Sequence, residues 1–187
     1  MKKLIFTFGT INSGKTNILK EQLRRNENKT IVLNSNLIEN NEIKYDYIIK
    51  EEDHLYEIIK YQFPDCDDIY INNAHLLSKK QVDELMFIVL KLDKNVYCYG
   101  LRVDFQNKGF TGSRRLFEIA HEIISIETKC SCGNIATCNI RKVNDKYEFS
   151  GDVIKGNSDI IKYEAMCTKC YYQKVFKYLR FKKDTMH

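Results

Sequence analysis

Short apolar runs recur along this chain, and between them apolar residues return at helical intervals. "LIFTF" (4–8), "TIVLN" (30–34), "DDIYIN" (67–72), "NVYCYGL" (95–101) and "IISIE" (123–127) are too short for helices, so each reads as a buried strand. "TNILKEQLRR" (16–25) sets Ile18, Leu19 and Leu23 on one helical face. "HLYEIIKYQF" (54–63) and "SRRLFEIAHEI" (113–123) have similar spacing. In "SKKQVDELMFIVLKL" (78–92) a serine N-cap precedes Val82, Leu85, Met86 and Val89 on one stripe. The polar stretch 35–53 gives only a short strand in "YDYII" (45–49). Strand and helix in alternation predict an α/β domain, a parallel sheet flanked by helices.

From about Cys130 the pattern changes. "NIATCNIRKV" (134–143) and "KYEFSG" (146–151) read as hairpin strands between paired cysteines. The expected organisation is a nucleotide-binding domain over 1–128, a small lobe over 129–173 and a basic tail over 174–187.

Composition adds constraints. With 187 residues, 43% hydrophobic, the chain can build a real core. No apolar run reaches membrane-spanning length, and "MKKLIFTF" runs straight into a glycine loop. The expectation is a soluble cytoplasmic protein with no membrane partner. The net charge of +5 gathers at "KVFKYLRFKK", where Lys174, Lys177, Arg180, Lys182 and Lys183 meet no acid. A basic end on a near-neutral body reads as a solvated tail and makes a nucleic-acid partner unlikely.

Gly9-Thr10-Ile11-Asn12-Ser13-Gly14-Lys15-Thr16 has the spacing of a nucleoside-triphosphate loop, between a strand and a helix. The glycines let backbone N–H groups face a phosphate, and the following helix adds its N-terminal dipole. Lys15 offers a cation to the β- and γ-phosphates, and the Thr16 hydroxyl can hold Mg²⁺. Four of the seven cysteines form close pairs, Cys130 with Cys132 and Cys167 with Cys170. Four thiolates so paired suit a closed tetrahedral zinc site that holds a lobe lacking a core of its own. Cys66 and Cys98 read as core or edge thiols, and Cys138 as a bystander.

Taken together these segments resemble the type II thymidine kinases over about residues 4–171. "YGLRVDFQNKGFTGS" (99–113) looks like that family's YGL-x-x-DF-x-x-x-x-F segment, and "HLLSKKQVDEL" (75–85) like the helix after its D-E-x-Q-F motif. "TKCSCGNIAT" and "VIKGNSDIIKYEAMCTKC" look like the two ends of its zinc-ribbon-like "lasso" lobe. The resemblance implies a P-loop domain, transfer of the ATP γ-phosphate to the 5′-hydroxyl of thymidine, Mg²⁺ with ATP, structural zinc and a homotetramer. It implies that Leu101, Phe105 and Phe110 line the base pocket and that Tyr163 contacts the nucleoside from the lasso.

The departures fall on the catalytic positions. Where the family has Asp-Glu, this chain has Asn72-Asn73, and His75 replaces the family's glutamine. The Asp-x-Arg motif after the second strand has no counterpart. An amide is no general base near neutral pH; Asn72 keeps an oxygen able to orient a water beside the phosphates. Asp104, at the C-terminal end of a strand, is a possible substitute base, and His75 is another. The alternatives are a catalytically impaired nucleotide-binding relative of the same fold and, more remotely, a zinc-ribbon nucleic-acid module.

Overall fold

The computed structural model describes residues 1–35, 43–153 and 160–184. The chain divides into two compact units. The first holds Met1–Phe8, Gly14–Arg102 and Gly109–Ile126; the second holds Gly9–Ser13, Val103–Lys108 and everything from Glu127 on.

The first unit is built on β1 (Leu4–Gly9), α1 (Lys15–Arg25), β2 (Thr30–Asn34), β3 (Tyr47–Ile48), α2 (Leu55–Gln62), β4 (Asp68–Asn72), a 3₁₀ turn (Ala74–Leu76), α3 (Lys79–Leu92), β5 (Asn95–Leu101), α4 (Thr111–Ile119) and β6 (Glu122–Ser125). Its strands form one sheet in the order β3-β2-β4-β5-β1-β6. β2 pairs parallel with β3 and β4, β4 with β5, and β1 with β6. The inner strands are covered on both faces, so β4 is buried along its whole length, while the edge strand β6 stays largely exposed. Alternate residues go to opposite sides: Ile69 and Ile71 join one core with Val82, Leu85 and Val89, while Tyr70 joins another with Leu19, Val32 and Tyr99.

α3 starts where its capping serine predicts. Ser78 Oγ accepts from the Gln81 N–H at 3.2 Å, and Gln81 Oε1 accepts from the Ser78 N–H at 3.0 Å. This reciprocal capping box contributes about 1 kcal/mol. The helix expected over 113–123 ends earlier, at Ile119. The backbone beyond it is drawn into β6, where the His121 N–H donates to Leu4 O and the Leu4 N–H donates to His121 Nδ1.

The second unit carries an antiparallel sheet in the order β8-β7-β9, with β7 Cys138–Val143, β8 Lys146–Glu148 and β9 Ile161–Met166. α5 (Thr168–Asp184) follows, so the basic segment read as a tail is helical. A small core gathers Cys130, Ala136, Cys138, Ile140, Met166, Cys167 and Tyr171. The expected hairpin is present as β7 and β8; β9 was not legible as a strand. Much of the stretch after β2, and of the segment "VIKGNSD", lies outside the described residues.

Candidate active site

Gly14 sits in the left-handed region at φ 81°, the conformation that turns the chain from the loop into α1. Lys15 and Thr16 then begin the helix, and burial pushes the Lys15 ammonium down to about 8. The earlier loop residues, Gly9–Ser13, group with the second unit. There the Ile11 N–H donates to Asn139 Oδ1 at 2.8 Å, and Asn139 Nδ2 donates to Val103 O at 2.6 Å. Asn139 therefore pins the loop to the 103–108 segment, and the Ile11 N–H is engaged within the protein. Asn12 also takes the left-handed region, at φ 57°.

In the first unit, β4 ends on Asn72, and Asn73 follows it as the cap of the 3₁₀ turn. Asn34 and Asn72 are paired in register at the ends of β2 and β4. Asn73 Nδ2 donates to Asn34 Oδ1 at 3.0 Å, Asn72 Nδ2 donates to the Tyr45 hydroxyl at 2.8 Å, and Asn72 Oδ1 accepts from the Asn73 N–H at 3.0 Å. Ser35 Oγ donates to Asn73 O at 2.6 Å. Asn73 itself lies at φ 55°, a conformation asparagine tolerates better than most residues. The position expected to carry a carboxylate is thus held in a neutral amide network.

His75 belongs to the 3₁₀ turn Ala74–Leu76, which Gly112 allows α4 to approach closely. A Cβ on Gly112 would lie 2.6 Å from Ala74 O and 2.8 Å from Leu77 O. The His75 ring is buried, edge-on to Phe110 at 4.6 Å between centroids, and its Nδ1 has no hydrogen-bond partner among the described residues. Burial first, and then the Lys15 charge, push it down to about 3. So weak a base does not hold a substrate proton near neutral pH, and His75 is dropped as the substitute base. Folding with a neutral imidazole has a thermodynamic consequence. The folded-state value lies below the unfolded value near 6.5, so the unfolded chain takes up the proton first and stability falls as pH drops below that value. From pH 7.5 to 5.0 the wild type is expected to lose about 2 kcal/mol through this residue. His75→Gln should lose less over the same range in urea titrations; equal losses would contradict the assignment.

The remaining expected site residues divide between the units. Leu101, whose carbonyl accepts from Ser113 Oγ at 2.6 Å, and Phe110 lie in the first. Asp104, Phe105 and Tyr163 lie in the second. Asp104 Oδ1 accepts from the N–H groups of Gln106 and Lys108, both at 2.8 Å, so one carboxylate oxygen shapes its own loop. The Phe105 ring has the Arg141 guanidinium 3.6 Å from its centroid, and its carbonyl accepts from the Tyr171 hydroxyl at 2.9 Å. One face of the ring expected to line a base pocket is therefore covered by a buried arginine. Arg141 Nη1 and Nη2 also donate to Asp152 O and Ser150 O, and Nη2 stands 2.6 Å from Glu148. Tyr163 faces Arg141 across the β7–β9 pairing.

The sulfurs of Cys130, Cys132, Cys167 and Cys170 all lie within 4.8 Å of one another. Gly133, at φ 88°, makes the turn that returns the chain after the first pair. Backbone N–H groups of Cys132 and Cys167 push the Cys130 thiol down, while its sulfur neighbours push Cys170 up. One thiol of the cluster ionises readily and another resists, as expected of crowded like charges that a divalent cation would relieve. The donor set fits a metal ion. Cys66, Cys98 and Cys138 are buried outside it.

Sequence reading missed Asn34, Ser35, Tyr45, Asn139 and Arg141. Asn34 had a signal: it is a polar residue closing an otherwise apolar strand, as Asn72 is.

A left-handed glycine feeding a Lys-Thr helix start from an internal strand of a parallel sheet defines a P-loop nucleotide-binding domain, here with a metal-capable cysteine lobe. The chain belongs to the thymidine kinase family, whose model matches residues 2–171. The thymidine kinase of Zymomonas mobilis is 32% identical over 197 aligned positions, covering 94% of this chain and 98% of that one. The Shewanella oneidensis thymidine kinase is 35% identical, with 65% of each chain covered. The match to the Cutibacterium acnes thymidine kinase, at 34% identity, takes in 57% of this chain and spans about half of that protein, 52%. Pif1 helicase from Bacteroides, bound to ssDNA, aligns over 66% of this chain and 38% of its own at 13% identity and a TM-score of 0.44, a likeness too slight to carry a functional reading. Among the described residues no helix is long and apolar enough to cross a membrane.

Proposed function

We propose that the chain is a thymidine kinase that transfers the γ-phosphate of ATP to the 5′-hydroxyl of thymidine, slowly, without a carboxylate base at the family's position. The observation that carries this reading is the Gly14-Lys15-Thr16 helix start, kept in a chain of this family. Lys15 bonds the β- and γ-phosphates, Gly9–Gly14 cradle them, and Thr16 holds the magnesium of the nucleotide. Asn72 orients a water near that ion. Leu101, Phe105 and Phe110 take the base, and Tyr163 contacts the nucleoside.

Asn73 occupies the base position and accepts no proton. A positioned general base contributes about 10²- to 10⁴-fold, whereas phosphoryl transfer rests mainly on alignment and charge. The proton then leaves to solvent, or to Asp104 through its remaining oxygen. Purified protein with Mg-ATP and labelled thymidine tests the reading: slow formation of thymidine monophosphate is expected, and Asp104→Asn should slow it further if Asp104 takes the proton.

The cysteine cluster is proposed to hold one structural zinc. Four sulfurs at the usual 2.3 Å from zinc stand about 3.8 Å apart, a modest contraction of the cluster. The purified protein is expected to contain one zinc per chain by metal analysis. Chelation should expose residues after Glu127 to protease while the first unit stays resistant. A metal-free preparation of equal resistance would refute the zinc. By resemblance we also take the protein to be a cytoplasmic homotetramer, which light scattering tests.

A further inference from the structure

The family match ends at residue 171, but α5 runs on to Asp184. One face of that helix packs into its own lobe. Tyr171 is buried, Val175 lies against the lobe core, and Phe149 packs its ring against those of Tyr171 and Tyr178 at 5.9 and 5.1 Å. The adjoining face, about a quarter turn round the helix, shows Tyr172, Phe176 and Leu179, 40%, 58% and 51% exposed, with the Tyr172 hydroxyl accepting from Asn107 at 3.4 Å. Their spacing lines them up in one stripe, with Lys177 and Arg180 exposed beside it. The helix has six basic residues and one acid, a surplus equal to the whole net charge of +5. The rest of the chain is neutral in sum.

We propose that α5 is a peripheral docking surface for an anionic lipid bilayer, with the Tyr172-Phe176-Leu179 stripe at the headgroup boundary and the flanking cations on lipid phosphates. An apolar stripe with lysine and arginine beside it is the pattern of interfacial helices. The charge is complementary to an anionic surface and repels a second copy of the same helix. A groove that embraces a helix needs both flanks free, and here the face carrying Tyr171, Val175 and Tyr178 is already packed. Lys177 and Arg180 suit the phosphates of nucleic acid as well as those of lipid, but duplex readout leaves Phe176 and Leu179 without an apolar partner, which the acyl boundary supplies. The helix is also preformed, so docking orders no new backbone.

The test is co-sedimentation of the full chain with vesicles at near-physiological salt. Vesicles of phosphatidylcholine with roughly a third phosphatidylserine, the mixture that gives an anionic surface potential, are compared with phosphatidylcholine alone. Wild type is expected to sediment with the anionic vesicles only and to be released by high salt. Lys177→Glu with Arg180→Glu should weaken binding by roughly 30-fold or more. Phe176→Ser with Leu179→Ser should weaken it by roughly tenfold with the charge unchanged. All variants should keep wild-type metal content and circular dichroism. Wild type left in the supernatant, equal binding to neutral vesicles, or indifference to the Phe176 and Leu179 changes overturns the proposal. So does a charge-reversal variant that loses a single-stranded oligonucleotide while wild type ignores vesicles, which would assign the surface to nucleic acid.

Discussion

Asn73→Glu is expected to raise the turnover of thymidine by about 100-fold, toward the lower end of what a positioned base supplies. The KM for ATP should change little, because residue 73 is not assigned to the phosphates. Two local features hold the gain down. Residue 73 sits at φ 55°, where a glutamate is less at ease than asparagine by about 1 kcal/mol. The Asn34 amide must also turn, so that its Nδ2 rather than its Oδ1 meets the new carboxylate. Turning the amide also disturbs the other contact that Asn34 makes, a further modest cost. The variant should therefore fold with a slightly lower unfolding midpoint and a higher kcat. A folded variant no faster than wild type would mean that the missing base does not limit the reaction.

The second large effect is expected at Lys15. Lys15→Met removes the cation from the start of α1 but keeps much of the length and apolar body of the side chain. Loss of a charge that meets the transferring phosphoryl group should lower kcat/KM for ATP by at least about 10³-fold. The variant should change stability little, since the burial cost of the charge and the contact that the side chain makes are lost together. Burial already pushes the lysine down to about 8, so its charge is held against its solvation preference. Thermal unfolding beside isothermal titration with ATP separates the two effects. A variant that keeps wild-type turnover would remove Lys15 from the chemistry.

The two variants bear on opposite halves of the mechanism. In the proposed mechanism Lys15 would supply the electrostatic stabilisation that phosphoryl transfer requires, while a carboxylate at position 73 would supply the proton removal that Asn73 forgoes. Asn34, Asn72, Asn73 and Tyr45 are linked by neutral hydrogen bonds. This network keeps the C-terminal ends of β2 and β4 in place without the charge repulsion that two adjacent carboxylates would bring.

The parts that local rules determine were legible in the sequence. β1, the glycine spacing and α1 are adjacent in the chain, so strand, loop and helix could be placed from residues 4–25 alone. α3 announced itself by Ser78, Gln81 and its apolar stripe. The cysteine pairs stood out by spacing, and the structure brings all four sulfurs together.

What was not legible depends on distant partners. Arg141 sits in a hairpin strand where a charged side chain reads as solvent-facing; its burial follows from the Phe105 ring and the 150–152 carbonyls, which only the fold brings near. Asn139 is the same case with the phosphate loop. His75 looked like a possible base because a histidine titrates near neutrality in water; enclosure beside Phe110 and the Lys15 charge remove that property. In α5 the dense basic residues masked the helical return of Tyr171, Val175 and Tyr178, so a packed helix read as a tail.

The central claim is that this site transfers phosphate without the carboxylate base. Its most direct test is a long time course of labelled thymidine with saturating Mg-ATP, wild type beside Lys15→Met. The account predicts slow, linear formation of thymidine monophosphate by wild type and none by the variant. Product no faster than in the Lys15→Met control would contradict it and leave a nucleotide-binding protein that does not turn over.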